Sequence, residues 1–157
     1  GFGWQWLATE PMRLLVPAKH RVAESTTASL ADVAGDPFIV IRPTSLLRRH
    51  TEDLCHRAGF DPDIALVADD LPTIRGYVAA GLGVAVVPTI WDTGSDPAGR
   101  RVRYLAIDDE AASREVGLAW STERRMLPAA GLFRDHVVAR FKAGKLPRPV
   151  PVAGADG

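Results

Sequence analysis

The chain has 157 residues, with 19 Lys and Arg against 19 Asp and Glu, and a single cysteine. The zero formal net charge provides no global field that would attract nucleic acid, and one cysteine excludes an internal disulfide framework. The length allows one hydrophobic core, or one and a half small lobes. No apolar run approaches the roughly 20 residues that a membrane helix requires. These numbers favour a globular protein of a reducing compartment.

The first third of the chain alternates strand-like segments with polar turns. Residues 4–7 and 12–16 are strand-like, and Glu10–Pro11 separates them. Ser29 is a candidate cap for a short helix over 30–34, and the apolar run 38–41 is typical of a buried strand. A loop of Arg42, Pro43, Thr44 and Ser45 then leads into a helix predicted over 46–58. On its outer face we expect i,i+4 ion pairs of Asp53 with Arg49 and with Arg57.

The clearest local signals lie between 64 and 91. A strand over 64–68 precedes Asp70, which can cap a helix that has Pro72 in its first turn. Apolar residues then fall at steps of three and four, namely Leu71, Ile74, Val78 and Leu82. Gly81 is placed to end this helix in a left-handed conformation, and the apolar run 84–87 predicts a buried central strand. Because Gly81 and Gly83 follow a helix and open a strand, the polarity is the reverse of a dinucleotide-binding loop.

The last third of the chain predicts a loop, two strands, a helix and a tail. Residues 92–99 are turn-forming throughout, and 102–107 is strand-like. Val116, Leu118 and Trp120 alternate with small residues, which favours a half-buried strand. A helix starting at Pro128 has the apolar stripe Ala130, Phe133, Val137 and Phe141, with Arg134, Asp135 and Arg140 expected to point away. Residues 143–157 are predicted to be disordered. The alternation of strands and helices predicts an α/β fold.

The polar residues offer little for catalysis. No G-x-S-x-G occurs, and the four histidines lack metal-ligand spacing, so we expect no catalytic residue, no metal site and no cofactor. The loop of Thr44 and Ser45 is more informative, because hydroxyls and free N–H groups converge at a helix start that follows the carboxyl end of a strand. The alternative is that either hydroxyl merely caps the helix. Arg42 suits bidentate recognition of a carboxylate but equally fits a surface ion pair, and Trp4 could line a cleft or pack internally.

Four segments, in this order along the chain, resemble the effector-binding domain of LysR-type transcriptional regulators: EPMRLLVPAKHRVA (10–23), SLADVAGDPFIVIRPTSLLRRH (29–50), CHRAGFDPDI (55–64) and DDLPTIRGYVAAGLGVAVVP (69–88). The resemblance implies a two-lobe α/β architecture, like a type II periplasmic binding protein, with the second lobe complete and the first lobe partial. It implies a partial effector-binding domain over 1–142: a hinge or crossing strand (1–11), the second lobe (12–107), a return strand (115–121) and the C-terminal helix of the first lobe (127–142). The front of the first lobe and the helix-turn-helix would be missing, and we expect an upstream segment because Gly1 leads at once into a strand.

The resemblance also implies a function. A small anionic metabolite would contact Arg42, Pro43, Thr44 and Ser45 from the second lobe, and Phe2 and Trp4 at the hinge. The protein would be cytoplasmic, would form a homodimer or homotetramer, would not engage a membrane, and would reach DNA only through the missing domain. Three alternatives stay open: a solute-binding protein of the same architecture, an enzyme that uses the cleft, such as a relative of prephenate dehydratase, and an oligomerisation unit with a degenerate site.

Overall fold

The computed structural model describes residues 1–88 and 101–146, and within these ranges it contains seven strands and three α-helices. The predicted loop 92–99 and most of the predicted disordered tail lie outside the described residues. The strands are β1 (Phe2–Pro17), β2 (Thr27–Ala28), β3 (Pro37–Ile41), β4 (Asp63–Ala68), β5 (Ala85–Pro88), β6 (Val102–Ile107) and β7 (Ser113–Ser121). The helices are α1 (Leu46–Arg57), α2 (Leu71–Ala79) and α3 (Pro128–Lys142), and a 3-10 turn spans Leu30–Val33. None of the described helices is long and apolar enough to span a membrane.

Strand β1 runs through Glu10–Pro11 without a break, so the prediction of two separate strands was wrong. Pro11 removes only its own N–H from the ladder, and the next residue restores the pairing because Met12 N–H donates to the Ala112 carbonyl at 2.8 Å. The chain folds into two compact units that meet in sequence at this point. Of the described residues, 1–10 and 114–146 form unit 1, and 11–88 and 101–113 form unit 2.

Unit 2 is built on one mixed sheet. Its strands follow the order β2-β6-β1-β5, with β1 antiparallel to both β5 and β6. The parallel pair β3-β4 continues the sheet beyond β5 through a bridge between Phe38 and Val84. Two backbone hydrogen bonds close this seam, from Ile39 N–H to the Val84 carbonyl at 2.8 Å and from Val84 N–H to the Pro37 carbonyl at 2.9 Å. The predicted buried central strand at 84–87 is therefore confirmed.

The sheet of unit 2 is covered on both faces. Alternate residues of β1 serve the two faces, because successive side chains of a strand point in opposite directions. Met12, Leu14 and Val16 pack on the face that α1 covers with Leu54 and Cys55. Leu15 packs on the opposite face, with the α2 residues Ile74 and Val78. The two helices therefore lie on opposite faces of one sheet, each above its own core.

The helix boundaries in unit 2 follow the predicted local signals. The Ser45 hydroxyl accepts a hydrogen bond from Leu47 N–H, and the Asp70 carboxylate accepts one from Thr73 N–H, so both helices are capped as expected. Gly81 adopts a φ of 80°, the left-handed conformation that ends α2. Leu82 departs from the prediction, since it follows the end of the helix and is 47% exposed.

The prediction that Asp53 pairs with Arg49 and Arg57 on α1 was wrong. Arg48 instead pairs with Glu52, its Nε donating at 2.6 Å. Arg57 makes a bidentate contact with Asp109, with Nε and Nη2 lying 2.9 and 3.0 Å from the two carboxylate oxygens. This pair joins the end of α1 to the connection between β6 and β7. The fold brings together residues 52 positions apart, which helical spacing cannot foresee.

Unit 1 contains the first part of β1, most of β7, and α3. Glu10 is buried, and its carboxylate accepts a hydrogen bond of 2.6 Å from Arg114 Nε. Gly117 of β7 lies against the Trp4 indole so closely that a Cβ would have no room. Aromatic and cation–π contacts then hold the helix. Trp6 packs edge-on against Phe141, and the Arg134 guanidinium carbon lies 5.5 Å from the Trp120 ring centroid.

The packed face of helix α3 matches its predicted apolar stripe only in part, at Val137 and Phe141. Its half-buried residues are Gly131, Arg134, Val137, Val138 and Phe141, whereas Ala130 is exposed and Phe133 is 61% exposed. Arg134 therefore packs inward, where Trp120 attracts its charge, and does not point away. Leu132 is 72% exposed on the outside. No residue of α3 is fully buried.

Candidate functional site

The candidate site lies where β3 and β4 end. These strands are parallel, so their carboxyl ends meet at one edge of the sheet. Arg42 and Asp69 are the first residues beyond the two strands, and Arg42 N–H donates to the Ala68 carbonyl at 3.0 Å. Parallel sheets of this kind bind ligands at this edge, because the loops that follow the strands are free of the ladder.

The loop from Arg42 to Ser45 turns this edge into the start of α1. Ser45 N–H donates to the Arg42 carbonyl at 3.1 Å, which closes the turn. The Ser45 Oγ accepts a hydrogen bond from Leu47 N–H at 3.2 Å, so the capping role that the sequence left open as the alternative is present for this hydroxyl. The cap uses the Ser45 hydroxyl only as an acceptor, so its O–H can still donate a hydrogen bond. Pro43 and Thr44 are exposed beside it, so the loop presents two hydroxyls at the positive end of a helix dipole.

Arg42 and the carboxylates of Asp69 and Asp70 carry charge at this edge. Arg42 Nη1 lies 3.5 Å from Asp69 Oδ1, and both side chains are largely exposed. The surface ion pair that the sequence left open for Arg42 is therefore present. Asp70 lies next to Asp69 but is committed to α2, since the backbone N–H of Thr73 lowers the pKa of its carboxylate. Asp69 is the residue that sequence reasoning missed, although its position directly after a strand was a usable signal.

The two aromatic candidates belong to unit 1. Phe2 is 74% exposed and Trp4 is 49% exposed. Trp4 is held across Gly117 of β7, as described above, so one face of its indole has a packing role. The structure thus brings together Arg42, Pro43, Thr44 and Ser45 with Asp69, and it places Phe2 and Trp4 in the other unit.

The reactive groups elsewhere in the described residues give no sign of chemistry. No group of three or more His, Cys, Asp or Glu within 1–88 and 101–146 could hold a metal ion. Cys55 is fully buried under α1, and burial raises the pKa of its thiol to about 12. A thiol with so high a pKa is not a nucleophile at neutral pH.

Comparison with known proteins places the chain in a family. The model of the LysR substrate binding domain matches residues 1–142. The transcriptional dual regulator GltC of Bacillus subtilis is 32% identical over 135 residues, which are 86% of this chain and 44% of that protein. An uncharacterised HTH-type transcriptional regulator of the same organism, YybE, is 28% identical over 88% of this chain and 46% of its own length. The chain spans less than half the length of these relatives.

Solved structures share the fold. The effector binding domain of QuiR, in complex with shikimate, superimposes with a TM-score of 0.80 at 23% identity, covering 92% of this chain and 68% of that one. The CcmR regulatory domain of Synechocystis PCC6803, in complex with 2-PG, gives a TM-score of 0.79 at 20% identity, covering 90% and 67%. The chain belongs to the LysR substrate-binding-domain family, and it has the α/β fold, of the type II periplasmic-binding-protein class, that the sequence predicted.

Proposed function

We propose that this chain is the effector-sensing part of a LysR-type transcriptional regulator, and that it contacts a small anionic metabolite through the loop from Arg42 to Ser45. The family supports the general role, and the ligands of QuiR and CcmR support a small effector. The observation that carries the choice of site is the meeting of two hydroxyls, a helix start and the Arg42–Asp69 pair at one edge of the sheet.

The chemistry of the loop suits a hydroxylated anion. Arg42 is held by a single exposed contact of 3.5 Å, and such exposed pairs are worth only about 0–1 kcal/mol. An effector carboxylate can therefore displace Asp69 from Arg42 at little cost. The displaced Asp69 carboxylate then accepts a hydrogen bond from a hydroxyl of the effector. Thr44 and Ser45 donate hydrogen bonds to the anionic oxygens of the effector. The chain binds and does not catalyse in this proposal.

The loop cannot supply the whole affinity. A helix terminus contributes about 0.3–1 kcal/mol toward an anion, whereas micromolar binding requires about 8 kcal/mol. Unit 2 corresponds in this proposal to a complete second lobe and unit 1 to part of the first. Further groups of the complete regulator, with Phe2 and Trp4 as candidates from unit 1, provide the remaining contacts. That regulator is a cytoplasmic homodimer or homotetramer, and it reads DNA through a helix-turn-helix that lies outside this chain.

Calorimetric titration of the complete regulator tests the site. A panel of small carboxylates and phosphates, beginning with shikimate and 2-PG, identifies a ligand, which is then measured against Thr44→Ala. Loss of one hydrogen bond of about 0.5–1.5 kcal/mol lowers the affinity by a factor of about 2–10. Ser25→Ala removes an exposed hydroxyl from another loop and serves as the matched control, with unchanged affinity expected. Equal affinity of wild type and Thr44→Ala for the identified ligand would contradict the proposed site.

A further inference from the structure

A second polar cluster lies on the sheet face of unit 2 that α2 covers. Register places Arg13 opposite Ala106 and Leu15 opposite Tyr104 on the antiparallel pair β1-β6. Arg13 and Leu15 share a face because they are two residues apart, and residues directly opposite each other also share a face. Arg13 and Tyr104 are therefore diagonal neighbours, which in such a pair lie about 7–8 Å apart, within reach of long side chains.

Helix α2 adds a second guanidinium to this cluster. The guanidinium carbon of Arg75 lies 5.3 Å from the centroid of the Tyr104 ring, so a cation stacks on the phenol. Three donor-bearing side chains, those of Arg13, Arg75 and Tyr104, thus come together between α2 and the sheet. All three residues are half-buried.

Two of the donors in this cluster lack an acceptor. Arg13 Nε and the Tyr104 hydroxyl oxygen are both buried, and neither has a hydrogen-bond partner. Burial raises the pKa of Tyr104, so the phenol is protonated at neutral pH and its O–H donates. A buried donor without a partner destabilises the folded state, and such groups are few in folded proteins. An arrangement of this kind favours an acceptor other than those that residues 1–88 and 101–146 supply.

We propose that Arg13, Arg75 and Tyr104 form a second binding site, for a small oxyanion with the chemistry of phosphate. Guanidinium groups match tetrahedral and planar oxyanions through parallel N–H bonds, and the Tyr104 hydroxyl donates a further bond. This site is distinct from the loop of Arg42 to Ser45, because that loop leads into α1 on the opposite face of the sheet. It does not depend on the function proposed above.

Titration of the 157-residue chain with inorganic phosphate tests this site, with ionic strength held constant by chloride. We expect saturable binding by calorimetry and a matching rise of the melting temperature. Arg13→Met is expected to lower the phosphate affinity about tenfold or more, because it removes charge-assisted hydrogen bonds. In the absence of phosphate, Arg13→Met should melt no lower than the wild type, since it also removes the unsatisfied Nε. If Arg13 had only a structural role, Arg13→Met would keep the phosphate affinity and would lower the melting temperature.

Two controls make the result specific. Arg103 is the residue before Tyr104 on β6, opposite Val16 and hence on the other face, so Arg103→Met should keep the wild-type phosphate affinity. Ser25→Ala removes an exposed hydroxyl from another loop and should keep it as well. Should Arg13→Met fail to fold, Tyr104→Phe retains the ring under Arg75 and is expected to weaken phosphate binding several-fold. Absence of saturable binding by the wild type, or equal binding by Arg13→Met and Arg103→Met, would overturn the proposal.

Discussion

Replacing Gly83 by alanine probes the seam that joins β3 to β5. Gly83 is buried, and a Cβ at this position would overlap the Pro37 carbonyl oxygen and lie 3.2 Å from Ile39 Cγ1. The obstacle is backbone, so it cannot move aside as a flexible side chain would. The same contact region carries the two hydrogen bonds between Val84 and the β3 residues Pro37 and Ile39. Any shift that makes room for the methyl group therefore stretches both bonds.

The expected loss of stability has two sources, the overlap of the added methyl group and the stretching of the two hydrogen bonds. Overpacking a close-packed site costs about 1–3 kcal/mol, and each backbone hydrogen bond contributes about 1 kcal/mol net. We expect Gly83→Ala to lower the free energy of unfolding by about 2–4 kcal/mol, which is a large part of the roughly 5–15 kcal/mol of a typical domain. For a chain of this length, that loss lowers the melting temperature by about 5–15 °C.

Urea denaturation followed by circular dichroism measures the change, with Gly76→Ala as the matched control. Gly76 lies inside α2, is exposed, and has no atom within 4 Å of an added Cβ. The same substitution should raise stability there by about 0.5–1 kcal/mol, because alanine favours the helix. One backbone hydrogen bond contributes about 1 kcal/mol. If the free energy of unfolding of Gly83→Ala lies within about 0.5 kcal/mol of the wild-type value, which is less than one such bond, the seam does not hold the sheet together.

Three further predictions concern other parts of the chain. Burial raises the pKa of Asp36, but hydrogen bonds from Arg21 and His20 outweigh it and hold the pKa below its ordinary 3.8. This contribution is present above that value and is lost as pH falls through the folded-state pKa, so Asp36→Asn should flatten the acid limb of the stability profile, and an unchanged limb would contradict the assignment. Cys55 should resist iodoacetamide at pH 8 in the native chain and react after unfolding, because its pKa is about 12; rapid native labelling would show that the thiol is accessible. The exposed Leu132 of α3 should promote self-association of the isolated chain, and Leu132→Glu should reduce the mass observed by light scattering, an expectation that a monodisperse wild-type monomer would exclude.

Short-range signals in the sequence determined the local structure of unit 2. Ser45 and Asp70 cap their helices through hydrogen bonds to residues two and three positions ahead, and Gly81 ends α2 through its own backbone conformation. Such interactions lie within one helical turn, so they can be foreseen without knowledge of the rest of the chain. The loop of Arg42 to Ser45 was found in the same way, because it joins a buried strand to a capped helix.

The tertiary structure alone decided which distant groups meet. Arg57 pairs with Asp109 from another element and not with its helical neighbour, and Arg134 turns inward because Trp120 of a different strand lies beside α3. The second polar cluster arises in the same manner, since its residues Arg13, Arg75 and Tyr104 come from β1, α2 and β6. Periodicity tells which face of an element is apolar, but a charged side chain takes the partner that packing brings to it. Local sequence signals therefore determine the helices and strands, whereas the tertiary structure determines which partner each charged side chain contacts.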